Sequence, residues 1–148
     1  MTSSQPTTPT PSDLPTGTAV DRFLAAIRDG AFAGADDVYD PAVRLDATVP
    51  GWRFAVADDG PVRDEYGRWF ASPNQFVELQ RRPTADGEVV EYFITWTENG
   101  EVHGAHHAHL LTVDRVTDRI TDDHVFCGGR WPASLLTEMG APSFSTAV

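Results

Sequence analysis

Four strand-like segments follow one another with no helix between them: Phe76–Arg82, Glu88–Thr97, Val102–Val113 and Ile120–Cys127. Each is rich in Val, Phe, Thr, Tyr, Trp and His, residue types that fit a pleated, half-buried surface. Turn signals separate them at Asp86-Gly87, at Asn99-Gly100 and across the charged stretch 114–119. They read as successive antiparallel strands. The chain before them is of a different kind. Val20, Phe23, Leu24 and Ile27 fall at i, i+3, i+4 and i+7 behind a Thr18 N-cap, and Gly30 stops that helix. A short second helix is expected over Ala35–Tyr39, ended by Asp40-Pro41, and a strand over Val43–Val49, broken by Pro50-Gly51. A third helix is expected after Asp59-Gly60, with Pro61 in its first turn and Val62, Tyr66, Trp69 and Phe70 on its apolar face. Pro132–Met139 reads as a short closing helix. Helices first and a meander afterwards predict an α+β fold, with the helices packed on one face of a curved sheet.

The 148 residues suit one domain with tails. Twelve of residues 1–16 are Ser, Thr or Pro, which predicts a disordered tail, and 140–148 is also expected to be loose. The single domain is then 17–139. No basic start with an apolar core marks a secretory signal, and no apolar run is long enough to span a membrane, so a cytoplasmic location is expected. There are 11 Lys+Arg, all of them arginine, against 22 Asp+Glu. Without lysine there is no Schiff base and no lysine-bearing phosphate loop. An acidic chain with no basic stripe is a poor partner for nucleic acid or an anionic membrane. One cysteine, Cys127, allows no internal disulfide and no multi-cysteine zinc site.

The order helix–helix–strand–helix–four strands resembles the nuclear transport factor 2-like superfamily, which includes ketosteroid isomerase, scytalone dehydratase and the SnoaL-like polyketide cyclases. The resemblance is carried by FLAAIRDGAF (23–32), VYDPAVRLD (38–46), the helix ending in RWF (68–70) and HLLTVDRVTDRITDDHVF (109–126). It implies a cone: a curved antiparallel sheet wrapped around three N-terminal helices and enclosing a pocket. It also implies that Asp46 stands where the isomerase keeps its general base. Phe23 stands where that enzyme keeps a tyrosine, and His109 where it keeps a protonated aspartic acid. His107 and His109 resemble the inner-face histidines of scytalone dehydratase.

Four of the five histidines lie in HGAHHAHLL. Strand alternation puts His103, His107 and His109 on one face and His106 on the other. The resemblance turns the first set toward the pocket. A histidine suits proton transfer near neutral pH. Two histidines at i, i+2 can also converge on a zinc ion, with Asp46 or Asp123 as third ligand, though that spacing is common. No metal and no cofactor are expected. Asp123 shares a face with Val125 and Cys127 and is placed to orient a histidine of the neighbouring strand. The candidate catalytic residues are therefore Asp46 as base, His107 or His109 as donor, and Asp123. The candidate pocket lining is Phe23, Trp52, Trp69, Trp96, Val125 and Cys127, a set with four aromatic rings that fits an apolar ligand.

Two functions follow. One is a cofactor-independent acid–base enzyme of cyclase, dehydratase or isomerase type, acting on a small apolar metabolite. The other is a non-catalytic binding or interaction module of the same fold. A homodimer is expected through the outer sheet face, with Tyr92, Ile94 and Trp96 on the alternation set that covers it. The stretch Trp52–Asp59 is expected to be a loop able to close the pocket.

Overall fold

The computed structural model describes residues 17–140. The expected N-terminal tail, and the C-terminal one beyond Gly140, lie outside those residues. Helix α1 (Ala19–Asp29) opens with a capping box. Thr18 Oγ1 accepts from the Asp21 amide at 3.1 Å, and Asp21 Oδ2 accepts from the Thr18 amide at 2.9 Å. The apolar stripe seen in the sequence is the buried face: Val20, Phe23, Leu24 and Ile27 are all in the core. Each such side chain contributes about 1.5–3 kcal/mol when buried. Gly30 ends the helix at φ 63°, a conformation open to glycine. A Cβ there would meet the Ser72 carbonyl carbon at 2.8 Å, so only glycine lets the backbone at Ser72 approach.

The expected second helix is absent. A single 3-10 turn, Phe32–Gly34, takes its place, and strand β1 runs Tyr39–Val49. Five residues are too few to offset the cost of nucleating a helix. Pro41 falls where the register between β1 and a later strand, β6 (Arg119–Cys127), is interrupted, between Tyr39 and Arg44, a place that tolerates a residue with no N–H. The expected loop is also a strand. Residues Trp52–Ala57 form β2, which pairs antiparallel with β1 from Val49↔Trp52 to Arg44↔Ala57. Gly51 takes φ 74° in the turn behind Pro50, the positive φ that a proline–glycine turn places at its second central residue.

Helix α2 (Asp59–Trp69) is followed by β3 (Gln75–Pro83), β4 (Gly87–Glu98), β5 (Glu101–Asp114) and β6 (Arg119–Cys127). A two-residue strand β7 (Trp131–Pro132) and helix α3 (Ala133–Glu138) close the chain. The fold is α+β, with a curved, unclosed sheet in the order β2-β1-β6-β5-β4-β3 and β7 on β5. It departs from the expected picture in two ways. Two of the three α-helices are N-terminal and the third is C-terminal. The sheet is not wholly antiparallel, because β1 and β6 pair in parallel. A parallel pair needs a long connection, and here nearly the whole domain supplies it.

Two contacts tie the helices to the sheet. Arg81 of β3 bridges Asp21 of α1 at 2.7 Å and Glu88 of β4 at 2.8 Å. Asn74 donates its side-chain amide to Ile27 O at 2.8 Å and its backbone N–H to Arg28 O at 2.8 Å, which satisfies carbonyls at the end of α1. The core lies between α1, α2 and the concave face of the sheet.

Candidate active site

The concave face is apolar except along one line. His107 and His109 of β5, Asp123 of β6, Tyr92 of β4 and Tyr66 of α2 are buried and bonded in series. Tyr92 Oη lies 2.9 Å from His107 Nδ1 and 2.8 Å from His109 Nε2. His109 Nδ1 lies 2.9 Å from Asp123 Oδ1, and Tyr66 Oη lies 2.5 Å from Asp123 Oδ2. The local cause is sheet register. In the β4–β5 ladder Tyr92 faces His107 and Val90 faces His109, while in the β5–β6 ladder His109 faces Val125 and Leu111 faces Asp123. Facing residues point to the same side of a sheet.

A carboxylate only accepts, so His109 donates Nδ1–H to Asp123 and Tyr66 donates its hydroxyl to the other oxygen. The direction beyond His109 follows from its proton count. With one ring proton, its Nε2 accepts from the Tyr92 hydroxyl, the Tyr92 oxygen accepts from His107 Nδ1–H, and His107 Nε2 is left as a bare lone pair. With two, both Tyr92 bonds run the other way. His107 Nε2 has no hydrogen-bond partner among the described residues. Burial first, and the Asp123 charge second, push the hydroxyls of Tyr66 and Tyr92 well above the usual phenol range, so both stay protonated donors. Burial, together with the neighbouring His109 and His106, pushes His107 down to about 3, so its ring is neutral near pH 7. Tyr39 Oη is also buried close to this charge and has no partner among the described residues.

His107 forms part of the wall of a cavity of about 910 Å³. Its other walls come from Phe54 of β2, Trp69 and Phe70 at the end of α2, Ile94 and Trp96 of β4, and Cys127 of β6. Most of this lining is apolar. Trp69 packs against His107 at 5.6 Å between ring centroids, and Phe70 at 5.7 Å. Arg130 lies over Trp96 at 5.5 Å and pairs with Glu98 at 2.5 Å. Cys127 faces His107 across the β5–β6 ladder. Burial raises its thiol, which disfavours a nucleophilic role.

The structure thus brings His107, Trp69, Trp96 and Cys127 to the cavity, and sets His109 and Asp123 behind it. Phe23 and Val125 are fully buried and do not line it; Phe23 packs edge-on to His109 at 5.0 Å and so supports the polar line from the helix side. Two expectations are overturned. Asp46 faces the other side of the sheet, where Arg53 chelates it with bonds of 3.0 and 2.7 Å. The Arg53 guanidinium holds its carboxyl below the usual carboxylate range. The reason is alternation: Val43, Leu45 and Ala47 are buried inward, so the residue between Leu45 and Ala47 must point out. Trp52 is 68% exposed on the β1–β2 hairpin and does not line the cavity.

The set expected on the outer face is corrected too. Tyr92 and Ile94 are buried inward, and Trp96 lines the cavity. Leu110 and Phe126 are the exposed apolar residues of the outer face of β5 and β6. His107 and His109 do not converge on an ion; the Tyr92 hydroxyl lies between their nitrogens. Among the described residues no group of three His, Cys, Asp or Glu side chains is placed to hold a metal.

Sequence reasoning missed Tyr66 and Tyr92 as functional residues. The signal for Tyr92 was present. A two-residue Asn99-Gly100 turn makes Glu98 face Glu101 and, counting back along both strands, makes Tyr92 face His107.

No protein-family model matches the sequence, and no curated protein matches it. Solved structures do. A protein named as a candidate isomerase from Bacillus subtilis superimposes with a TM-score of 0.59 at 12% identity, covering 74% of this chain and 84% of its own. A nuclear transport factor 2-like protein of unknown function from Burkholderia xenovorans gives 0.55 at 12% identity, covering 81% and 88%. A candidate ketosteroid isomerase from Parabacteroides distasonis gives 0.50 at 11% identity, covering 72% and 83%. No helix of this chain is long and apolar enough to cross a membrane. The helices laid against one face of a curved, unclosed sheet, and the matches to these structures, give one conclusion: this chain has the nuclear transport factor 2-like fold.

Proposed function

We propose that this protein is a cofactor-independent acid–base enzyme of cyclase, dehydratase or isomerase type, with His107 as the base and a small, largely apolar metabolite as substrate. One observation carries the reading. The buried hydrogen-bond series ends at His107, which walls the cavity and whose Nε2 has no partner among the described residues, and with one proton on the His109 ring that nitrogen is an acceptor. A base in an apolar cavity needs somewhere to send its proton, because burial opposes a charge on His107 itself. The series supplies the route. A substrate C–H or O–H proton passes to His107 Nε2, His107 Nδ1–H passes to the Tyr92 oxygen, and the Tyr92 hydroxyl proton passes to His109 Nε2. The positive charge then sits on His109, against the Asp123 carboxylate, and His107 stays neutral throughout. A group of this kind supplies typically 10²–10⁴-fold in rate. The isomerase names carried by fold neighbours fit this class of chemistry, and 11–12% identity takes them no further.

The test is exchange at carbon. A panel of apolar ketones is incubated with the protein in D₂O, and deuterium uptake at the carbon beside the carbonyl is read by mass spectrometry. Uptake above background that disappears in His107→Ala is expected. Uptake undiminished in that variant overturns the assignment of the base.

A second reading is a dimeric interaction module. It is favoured by Leu110 and Phe126, which lie exposed on neighbouring strands of the outer face. A second copy of the chain on that face would bury both. Sedimentation of the full chain decides it: a monomer at all concentrations removes this reading.

A further inference from the structure

Resting on the acid–base reading of the same cavity, we infer that its inner wall selects ligands presenting a hydroxyl (an apolar alcohol, enol or phenol) over the matching ketones and ethers. We also infer that Tyr92 imposes this choice although it does not line the cavity. His107 Nε2 carries a lone pair and no proton as long as Nδ1–H is spent on Tyr92, and Tyr92 is spent on His109. A carbonyl or ether oxygen placed there would set two acceptors against each other, whereas a hydroxyl donates into the lone pair. Leaving a buried polar group unpaired costs more than a made bond returns, so the discrimination comes mainly from the mismatch.

The lining also holds Ser72, Thr97, Arg68 and Arg130, so the choice applies to an oxygen placed against His107, where three other donors of the lining are already committed. The indole N–H of Trp69 is taken by Glu65 at 2.9 Å, and that of Trp96 by Glu98 at 3.1 Å. The Asn74 amide is taken by Ile27 O at 2.8 Å and Ser72 O at 3.1 Å. A ketone therefore finds these donors committed inside the protein, while a hydroxyl finds one acceptor fixed in place. The arrangement also reverses as a unit. Once a proton has reached His109 Nε2, that nitrogen donates to Tyr92, Tyr92 donates to His107 Nδ1, and His107 Nε2–H faces the ligand as a donor. The same wall then matches an enolate or ketone oxygen. A ligand that arrives as an enol and leaves as a ketone would be complementary to the wall in both states.

Tyr92 is a positioning residue, and its effect is read in two ways. The first uses the full-length wild-type chain. Nitrogen-15 NMR of the imidazole rings at neutral pH is expected to show His107 protonated at Nδ1 and bare at Nε2. Protonation at Nε2 overturns the inference, whatever any variant does. The second is calorimetric titration with 1-tetralol and 1-tetralone, two probes of one skeleton. The alcohol is expected to bind about tenfold more tightly, the ratio that one well-made hydrogen bond gives. In Tyr92→Phe the His107 proton is no longer held on Nδ1, and the preference is expected to fall below about threefold.

Equal or tighter binding of the ketone to the wild type, or binding of neither probe, overturns the ligand class. A preference unchanged in folded Tyr92→Phe overturns the role of Tyr92. The two readings of the cavity fail separately. Exchange that survives in His107→Ala, with the alcohol preference intact, removes the base and leaves the selectivity. Exchange that needs His107, with the ketone bound as well as the alcohol, does the opposite.

Discussion

Asp123 and Asp46 lie on neighbouring strands, one residue out of step, and meet opposite fates. In the parallel β1–β6 ladder Asp123 stands beside Leu45 and Asp46 beside His124. Each aspartate has a histidine close by. Asp123 meets His109 at 2.9 Å with both side chains 0% exposed, and Asp46 meets His124 at 3.9 Å with both more than a third exposed. On the outer face water and Arg53 compete for the carboxylate, and the pair is screened. On the inner face nothing competes, so the carboxylate orients one imidazole and, through Tyr92, a second. The pairings look alike in sequence, and their chemistry is set by the side of the sheet they face. Both carboxylates are bonded on both oxygens, so Asp123 becomes part of a site here because it is desolvated, not because it sits beside a histidine.

The widest gap between the two is expected in stability. Asp123→Ala strands His109 Nδ1–H and the Tyr66 hydroxyl in the core, and a loss of about 3–5 kcal/mol is expected in urea unfolding. Asp46→Ala is expected to leave the unfolding midpoint unchanged. Equal effects would erase the distinction between the faces.

Next comes the pH dependence. The folded-state value of His107 is depressed to about 3 from 6.5, so the unfolded chain binds more protons between those limits. Stability is therefore expected to fall as pH drops from 6.5 toward 3. His107→Gln should flatten that slope. Unfolding midpoints measured across that range for the wild type and this variant check the sign.

A smaller effect is expected from Tyr66→Phe, which removes one of the two bonds to Asp123 and leaves its oxygen unpaired. The expected loss is about 1–3 kcal/mol in the same urea experiment, short of the loss in Asp123→Ala. The smallest is at the outer face. Phe126→Ser should leave folding and ligand binding untouched, and lower self-association if a second copy covers that face. Sedimentation velocity reads it directly.

Much of the fold was legible because it is written in local patterns. The stripe Val20, Phe23, Leu24, Ile27 fixed both α1 and its buried face. Asn99-Gly100, at φ 53° and 78°, made the β4–β5 turn that brings Tyr92 opposite His107. The misplacement of Asp46 was also avoidable, since Val43, Leu45 and Ala47 already marked the inward set. There the likeness to an isomerase pattern outweighed the chain's own alternation. The second helix failed for a different reason. Val38 and Tyr39 bury their side chains as part of the sheet layer, a tertiary gain that local propensity does not report.

The sequence alone determined the α+β class, the meander, the helix caps and the histidine-rich strand, because each depends on residues within a few positions of one another. It also determined that His107 and His109 share a face, since that is a matter of period two. Only the tertiary structure decided that β1 lies parallel to β6, that Asp123 comes to His109, and that a tyrosine from α2 completes the carboxylate. The two side-chain contacts join residues 14 and 57 positions apart, and the β1–β6 pairing reaches further still. Register between distant strands and the docking of a helix on a sheet set them, and both follow from how the whole core packs rather than from any local run of residues.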